Sequence, residues 1–409
     1  MKRTALAGFI GAVVCGALAA PAWAGWHEDA ALAREGIVRA TAKGWMTADQ
    51  AATYRQTIAD ADATRRKVDW DRRANLGGVL HDVAAQRRAY KPPRAFALFW
   101  MLDFNATYLA SNPLPPPGTD ARDEDGVVYR AVAGHGLQFH PLANFSHLNA
   151  LVNSGRQTDA EVLAASLLDR AVQIGPGLVW EYYFPYGGAA PWTSGMVQAV
   201  AAKALAAAGS LGEAHEAYLA LPPLLQQLSA GPWVRLYSFS RDAVLNAQLQ
   251  AVLSLYGYAE LAQNEAARTL ADRMRAAANR LFPRFDTGAW SLYSLGGAEA
   301  PLSYHRYVIL LLRKLEIQTG DPVWAKRADR FDAYRSQPPE VRLSVGRRRI
   351  AIWVSKLSTV TVRIGGWSTS FTLARGSTSV ATPSSGRALV VVTARDVCGN
   401  EAVVRRRIT

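Results

Sequence analysis

Between about His27 and Arg335, apolar residues recur at every third or fourth position in a background of Ala, Leu, Arg and Gln. That period puts one apolar face on an α-helix. It predicts a helical stretch over 61–86, with polar breaks near Asp69, closed by Lys91-Pro92-Pro93. Residues 95–110 are strongly apolar. The proline-rich run 113–118 reads as a loop that continues to 126. Further helices are expected over 158–174, 194–208, 213–219, 242–263, 266–281, 304–319 and 322–335. Many amphipathic helices, joined by loops rich in Gly, Trp and Tyr, predict a mainly α fold. An α/α-toroid, or incomplete α/α barrel, would let those loops line a cleft. No fixed repeat period runs through the segment, which weighs against a stacked solenoid.

The pattern changes at Gln337-Pro338-Pro339. Beyond it, 342–345, 350–354, 359–364, 370–373 and 389–394 alternate or run β-branched, separated by Gly and Ser turns. Short strands at this spacing predict a small antiparallel β-sandwich. Its ending, 393–400 followed by a last strand, resembles the closing hairpin of bacterial immunoglobulin-like modules, which carry a D-x-x-G-N turn. The expected organisation is a signal peptide over 1–24, a helical domain over 25–337 and an immunoglobulin-like sandwich over 338–409.

Charge sharpens that division. Residues 338–409 hold eleven Arg and one Lys against three acids, a net +9 of the chain's +13. The runs Arg347-Arg348-Arg349 and Arg405-Arg406-Arg407 would attract anionic polymers. At the other end, Lys2 and Arg3 precede an apolar run over 5–20, and Ala22-Trp23-Ala24 suits cleavage by a signal peptidase. Export to an extracytoplasmic or secreted location is expected, with no integral membrane segment after cleavage. Cys15 lies in the signal, so Cys398 is the one cysteine left, and neither an intrachain disulfide nor a cysteine zinc site can form. His135, His140 and His147 are close in sequence but lack acidic ligands at metal spacing, so no metal is expected. Nucleic acid is a poor partner for an exported chain without a nucleic-acid motif.

Three segments carry candidate chemistry. The first is 183–188 followed by Pro191-Trp192-Thr193-Ser194-Gly195-Met196-Val197-Gln198. Ser194 can cap a helix, and Trp192, on the loop before it, can stack on a sugar ring. The second is Trp233-Val234-Arg235-Leu236-Tyr237, then Val244-Leu245-Asn246 opening a helix that ends near Tyr258. The third is Phe285-Asp286-Thr287-Gly288, Trp290-Ser291-Leu292-Tyr293, then Tyr304-His305 opening a helix that closes at Gly320-Asp321-Pro322.

In this order and at these intervals, the segments resemble the C-terminal domain of the D-glucuronyl C5-epimerases over roughly residues 127–335. Upstream, 136–142 is closer to bacterial members of that family than to animal ones. The resemblance implies catalysis by Tyr237, Tyr293 and Tyr304. It further implies substrate contacts from Tyr186, Trp192, Gln198, Arg235, Asn246, His305 and Arg306. Two departures stand out. The family's acidic residue before the first tyrosine is Leu236 here, and an active-site arginine of animal members is replaced by Gly296 in the run 294–297. The family's later helix histidine is also absent.

Epimerising a uronate at C5 removes a proton α to a carboxylate and returns one to the opposite face. Acid and base groups must flank the ring, and the carboxylate must be neutralised. A tyrosine serves only if a nearby cation or donor lowers its pKa from about 10. Arg235, Arg241, His305 and Arg306 are the candidates. The expected function is an exported isomerase acting on an anionic uronic-acid polysaccharide, without a cofactor. Two alternatives remain open: a polysaccharide lyase-like enzyme, and a non-catalytic polysaccharide-binding protein that has lost the acid and the arginine. The sequence does not fix the oligomeric state and leaves a homodimer open.

Overall fold

The computed structural model describes residues 25–346, 348–383 and 388–407; the expected signal, 1–24, lies outside them. About half of the chain is helical, in twelve helices among the described residues, followed by a strand-rich C-terminal region. The residues gather into two compact units. The first takes residues up to 226 with 234–241 and 254–271; the second takes 227–233, 242–253 and 272–409. Among the described residues, no helix is long and apolar enough to cross a membrane.

In the first unit, helix Trp26–Ala42 packs on Trp70–Ala85, and Ala48–Lys67 on Pro92–Ser111. The expected single stretch 61–86 is thus two helices. Asp69 divides them by capping the second, its carboxylate accepting from the Arg72 amide at 3.0 Å. Thr47 and Gln50 close a reciprocal capping box on the preceding helix. The segment expected to be loop, 113–126, holds the first strand of a three-stranded antiparallel sheet, Asp120–Arg122, which Val128–Val132 and Gly136–Phe139 complete. Short strands with few alternating positions leave little periodic signal. The buried Asn105 side chain pairs with both the amide and the carbonyl of Leu137, fixing the sheet to helix Pro92–Ser111. The helix expected over 158–174 stops at Leu168, because Val172–Ile174 turns at Gly175 to pair with Gly177–Val179.

Gly78 is required by close packing. A Cβ built there would lie 1.9 Å from the Gly134 carbonyl oxygen, which is backbone and cannot rotate away. Alanine gains helix propensity of about 1 kcal/mol over glycine, yet overpacking costs about 1–3 kcal/mol or more. Gly78→Ala should therefore lower the unfolding free energy in denaturant titration; an unchanged or raised midpoint would contradict the packing.

In the second unit, helices Leu302–Thr319 and Pro322–Ala333 pack together ahead of two antiparallel sheets. One runs Trp367–Leu373, Ser358–Ile364, Leu389–Asp396, Glu401–Arg407; the other runs Gly376–Ala381, Arg349–Val354, Val341–Val345. Ile350, Ile352 and Val354 from the second sheet share one core with Val360, Val362, Ile364, Val390, Val392 and Ala394 from the first. Strand Gly376–Ala381 escapes the sequence pattern because its residues, GSTSVA, alternate almost without apolar side chains.

The Asp396 turn forms as its sequence predicts. Its carboxylate accepts from the amides of Cys398 and Asn400, both at 2.9 Å. Lys356 meets the same carboxylate at 2.7 Å with both side chains buried, and also donates to the Tyr334 carbonyl at 2.9 Å. The Asn400 side chain donates to the Arg335 carbonyl at 2.8 Å. These bonds fasten the sandwich to the end of the helical segment.

Candidate functional site

In the first unit, the loop 181–194 and the loop 235–240 build an aromatic nest. Ser194 caps helix Gly195–Ala207, accepting from the Val197 amide. Gly195 donates its amide to the Arg235 carbonyl at 3.0 Å, and a Cβ there would stand 2.6 Å from Val234. Glycine thus lets the two loops touch. Ser238 exchanges bonds with Thr193, through its amide at 2.8 Å and its hydroxyl at 3.1 Å. Tyr237 is held between these anchors. Its ring lies 5.3 Å from Tyr186, 5.5 Å from Trp192 and 5.4 Å from Phe239, the last stacked in parallel.

Several expected ligands have other work in this unit. Trp192 is 5% exposed, stacks on Tyr182 at 3.9 Å and donates its indole N–H to the Phe184 carbonyl. One face and the N–H being used, it supports Tyr186 and Tyr237 from below rather than offering a face to a sugar. Gln198 is fully buried and donates to the carbonyls of Leu178 and Ala217, so it ties backbone together and does not reach a substrate. Arg235 donates to the carbonyls of Ser238 and Ser240, bracing the loop that carries Tyr237. Leu236 is buried, and no carboxylate stands in its place.

In the second unit, an arm over 291–300 carries Tyr293. Its amide donates to the Ala298 carbonyl at 2.9 Å, and its own carbonyl accepts from Leu245 at 3.2 Å. Tyr304 sits in the first turn of helix Leu302–Thr319. The two rings meet edge to face, 5.2 Å apart, and both residues are partly exposed. Tyr307 shares the Tyr304 face by three-residue spacing and donates its hydroxyl to Gln250 at 2.6 Å. Burial raises the Tyr307 phenol above its ordinary pKa, followed by the effect of Tyr304, so it stays a proton donor. Buried Asn246 lies one turn before Gln250 on the same helix face. The Tyr307–Gln250 pair was missed from sequence, although the spacings from Tyr304 and Asn246 could have flagged it.

His305 corrects the expectation most clearly. It is fully buried and stacks on Trp290 at 3.8 Å. Its Nε2 faces the Phe331 carbonyl at 2.9 Å, and a carbonyl only accepts, so Nε2 carries the proton. Nδ1 then accepts from Ser291 at 2.7 Å. Both nitrogens are used, and neither serves Tyr304 or a sugar. Arg306 is exposed and two residues from Tyr304, which puts it on another face of the helix.

Burial pushes the His305 pKa from 6.5 down to about 4; the hydrogen bond to Phe331 opposes it, and the nearby Arg335 and Lys356 charges add to it. A histidine held neutral stabilises the fold fully above its unfolded pKa. That contribution is lost as pH falls from 6.5 towards 4, a change of up to about 3 kcal/mol. Stability should therefore fall more steeply over this window in wild type than in His305→Gln, read from denaturant titrations at each pH. Equal slopes would contradict the assignment.

Residues 176–333 match the family described as D-glucuronyl C5-epimerase C-terminus. The match begins well after residue 127, where the sequence resemblance was expected to start, and it contains Tyr186, Tyr237, Tyr293, Tyr304 and Tyr307. It supports an epimerase-type function in the broad sense. No curated protein matches the chain.

Proposed function

Proceeding from that match, we propose that the protein is an exported isomerase that epimerises uronic-acid residues at C5 within a polysaccharide. In this reading the helices form an α/α-toroid, and the seven-stranded module is immunoglobulin-like. The observation that carries it is the edge-to-face pair of partly exposed tyrosines, Tyr293 and Tyr304, inside the matched segment. One phenolate takes the C5 proton, and the electron pair delocalises into the substrate carboxylate. The other phenol returns a proton to the opposite face, so configuration inverts and nothing is consumed. The resemblance also assigns a catalytic role to Tyr237, on its braced loop in the first unit. Tyr186 contributes to sugar contact beside it, and Asn246 to contact beside the tyrosine pair.

A second reading is favoured by two particular positions. Leu236 is buried and apolar, and Gly296 has no side chain, so neither supplies the family's acid or arginine. A protein lacking both would bind a uronate polymer without turning it over. Incubation with uronic-acid polysaccharides in heavy water separates the outcomes. Deuterium at C5 without chain cleavage supports the isomerase. An unsaturated uronate product marks a lyase, and retention on the polymer with neither signal marks a binder; either result overturns the isomerase.

A further inference from the structure

Alternate residues of a strand share one face of its sheet. In Ser358–Ile364, Val360, Val362 and Ile364 point into the core, so Thr361 and Arg363 point outward. The register carries that outward face across the four-stranded sheet. Arg363 lies opposite Val391, and Val391 lies opposite Arg405; Leu389 lies opposite Arg407. The next row is Ser370, Thr361 and Thr393. Strand spacing sets the roots of Arg363 and Arg405 about 10 Å apart, and those of Arg405 and Arg407 about 7 Å apart.

Of the three acids of this module, only Glu401 shares the outward face. Asp396 turns inward to Lys356, and Glu340 pairs with Arg342 on the other sheet. Glu401 lies opposite Arg395, four residues along the strand from Arg405. Arg363, Arg405 and Arg407 make no ion pair among the described residues. The outer face thus carries a cluster of unneutralised guanidinium groups beside a row of hydroxyls. Guanidinium is the side chain best shaped for bidentate carboxylate binding, and the hydroxyls suit a sugar's own. The aromatic residues of the sheet, Trp367 and Phe371, pack on the core, so this face offers no ring for stacking nucleobases. Its exposed large apolar residues are Leu389 and Val403, too few to seat in a membrane.

We propose that the outward face of the four-stranded sheet is a second binding site for an anionic polysaccharide, gripping carboxylates through Arg363, Arg405 and Arg407. The occupant rests on the function proposed above, since the polymer bound here is the one presented to the tyrosines. A second grip on the same chain raises avidity for long polymers and adds nothing for a short oligosaccharide.

The test uses the full chain and the double variant Arg363→Glu/Arg405→Glu. Its control is Arg342→Glu/Arg349→Glu, which reverses the same amount of charge on the outward face of the other sheet. Retention is measured on immobilised polygalacturonate and an unsulfated glucuronate polymer, with phosphatidylglycerol vesicles and duplex DNA alongside. Wild type should be held at low salt and released as salt rises. The face variant should bind the polymers at least about tenfold more weakly, with the control within about threefold of wild type. Equal losses in both variants, no retention of wild type, or preferential retention on vesicles or DNA would each overturn the proposal. Deuterium exchange at C5 of a short oligosaccharide separates this proposal from the isomerase reading. Polymer retention without exchange leaves the arginine face standing and removes the isomerase; exchange without retention does the reverse.

Discussion

Lys356→Met is expected to destabilise the protein by about 3–5 kcal/mol, the usual loss when one partner of a buried ion pair is removed. Methionine fills a similar volume, so the loss comes from charge and hydrogen bonding rather than from a cavity. The variant strands the Asp396 carboxylate, whose side chain has no solvent exposure, and removes a donor from the Tyr334 carbonyl. In wild type, burial acts to raise the Asp396 pKa. The hydrogen bonds from Lys356 and Asn400 and the Lys356 charge outweigh it and hold the carboxyl below its ordinary value. A depressed carboxylate pKa stabilises the fold above the unfolded value and loses that contribution as pH falls through the folded one. With Lys356 gone, burial dominates, and acid unfolding should begin at higher pH. Replacing both partners, as Lys356→Met/Asp396→Asn, should recover part of the loss. A single-variant loss below about 1 kcal/mol would mean that the pair is an ordinary surface contact.

Tyr304→Phe is expected to lower C5 proton exchange by about a hundred- to ten-thousand-fold, the usual effect of deleting a positioned acid–base group. Only the hydroxyl of a partly exposed residue is removed, and the ring contact with Tyr293 at 5.2 Å needs none. The melting temperature should stay close to that of wild type. A variant that loses exchange and stability together would not isolate the chemistry.

The long helices and the sandwich strands were legible because each presents one face to a core at a fixed period. Strand Ser358–Ile364 alternates buried and outward residues along its length. Elements held by other forces were not legible. The sheet over 120–139 depends on Asn105, a polar residue distant in sequence, and Gly376–Ala381 pairs through its backbone with hardly any apolar side chain. The site divides the same way. Tyr293 and Tyr304 were identified by motif, and their rings meet. For Trp192, Gln198 and His305, the motif was matched but the side chains are buried and their N–H groups are spent on protein partners. Sequence shows that such a residue occurs, whereas its hydrogen-bond partners decide whether it faces a ligand. His305 adjoins Tyr304 in sequence, but a helix turns adjacent side chains about 100° apart, and that rotation carries it into the core against Phe331.

The most direct test of the isomerase account is deuterium incorporation at C5 from heavy water, wild type beside Tyr304→Phe, over a panel of uronic-acid polysaccharides. The account predicts exchange by the wild type on at least one polymer, and loss of that exchange in Tyr304→Phe with the chain length of the polymer unchanged. Equal exchange by both proteins, or none by the wild type on any polymer, would contradict it.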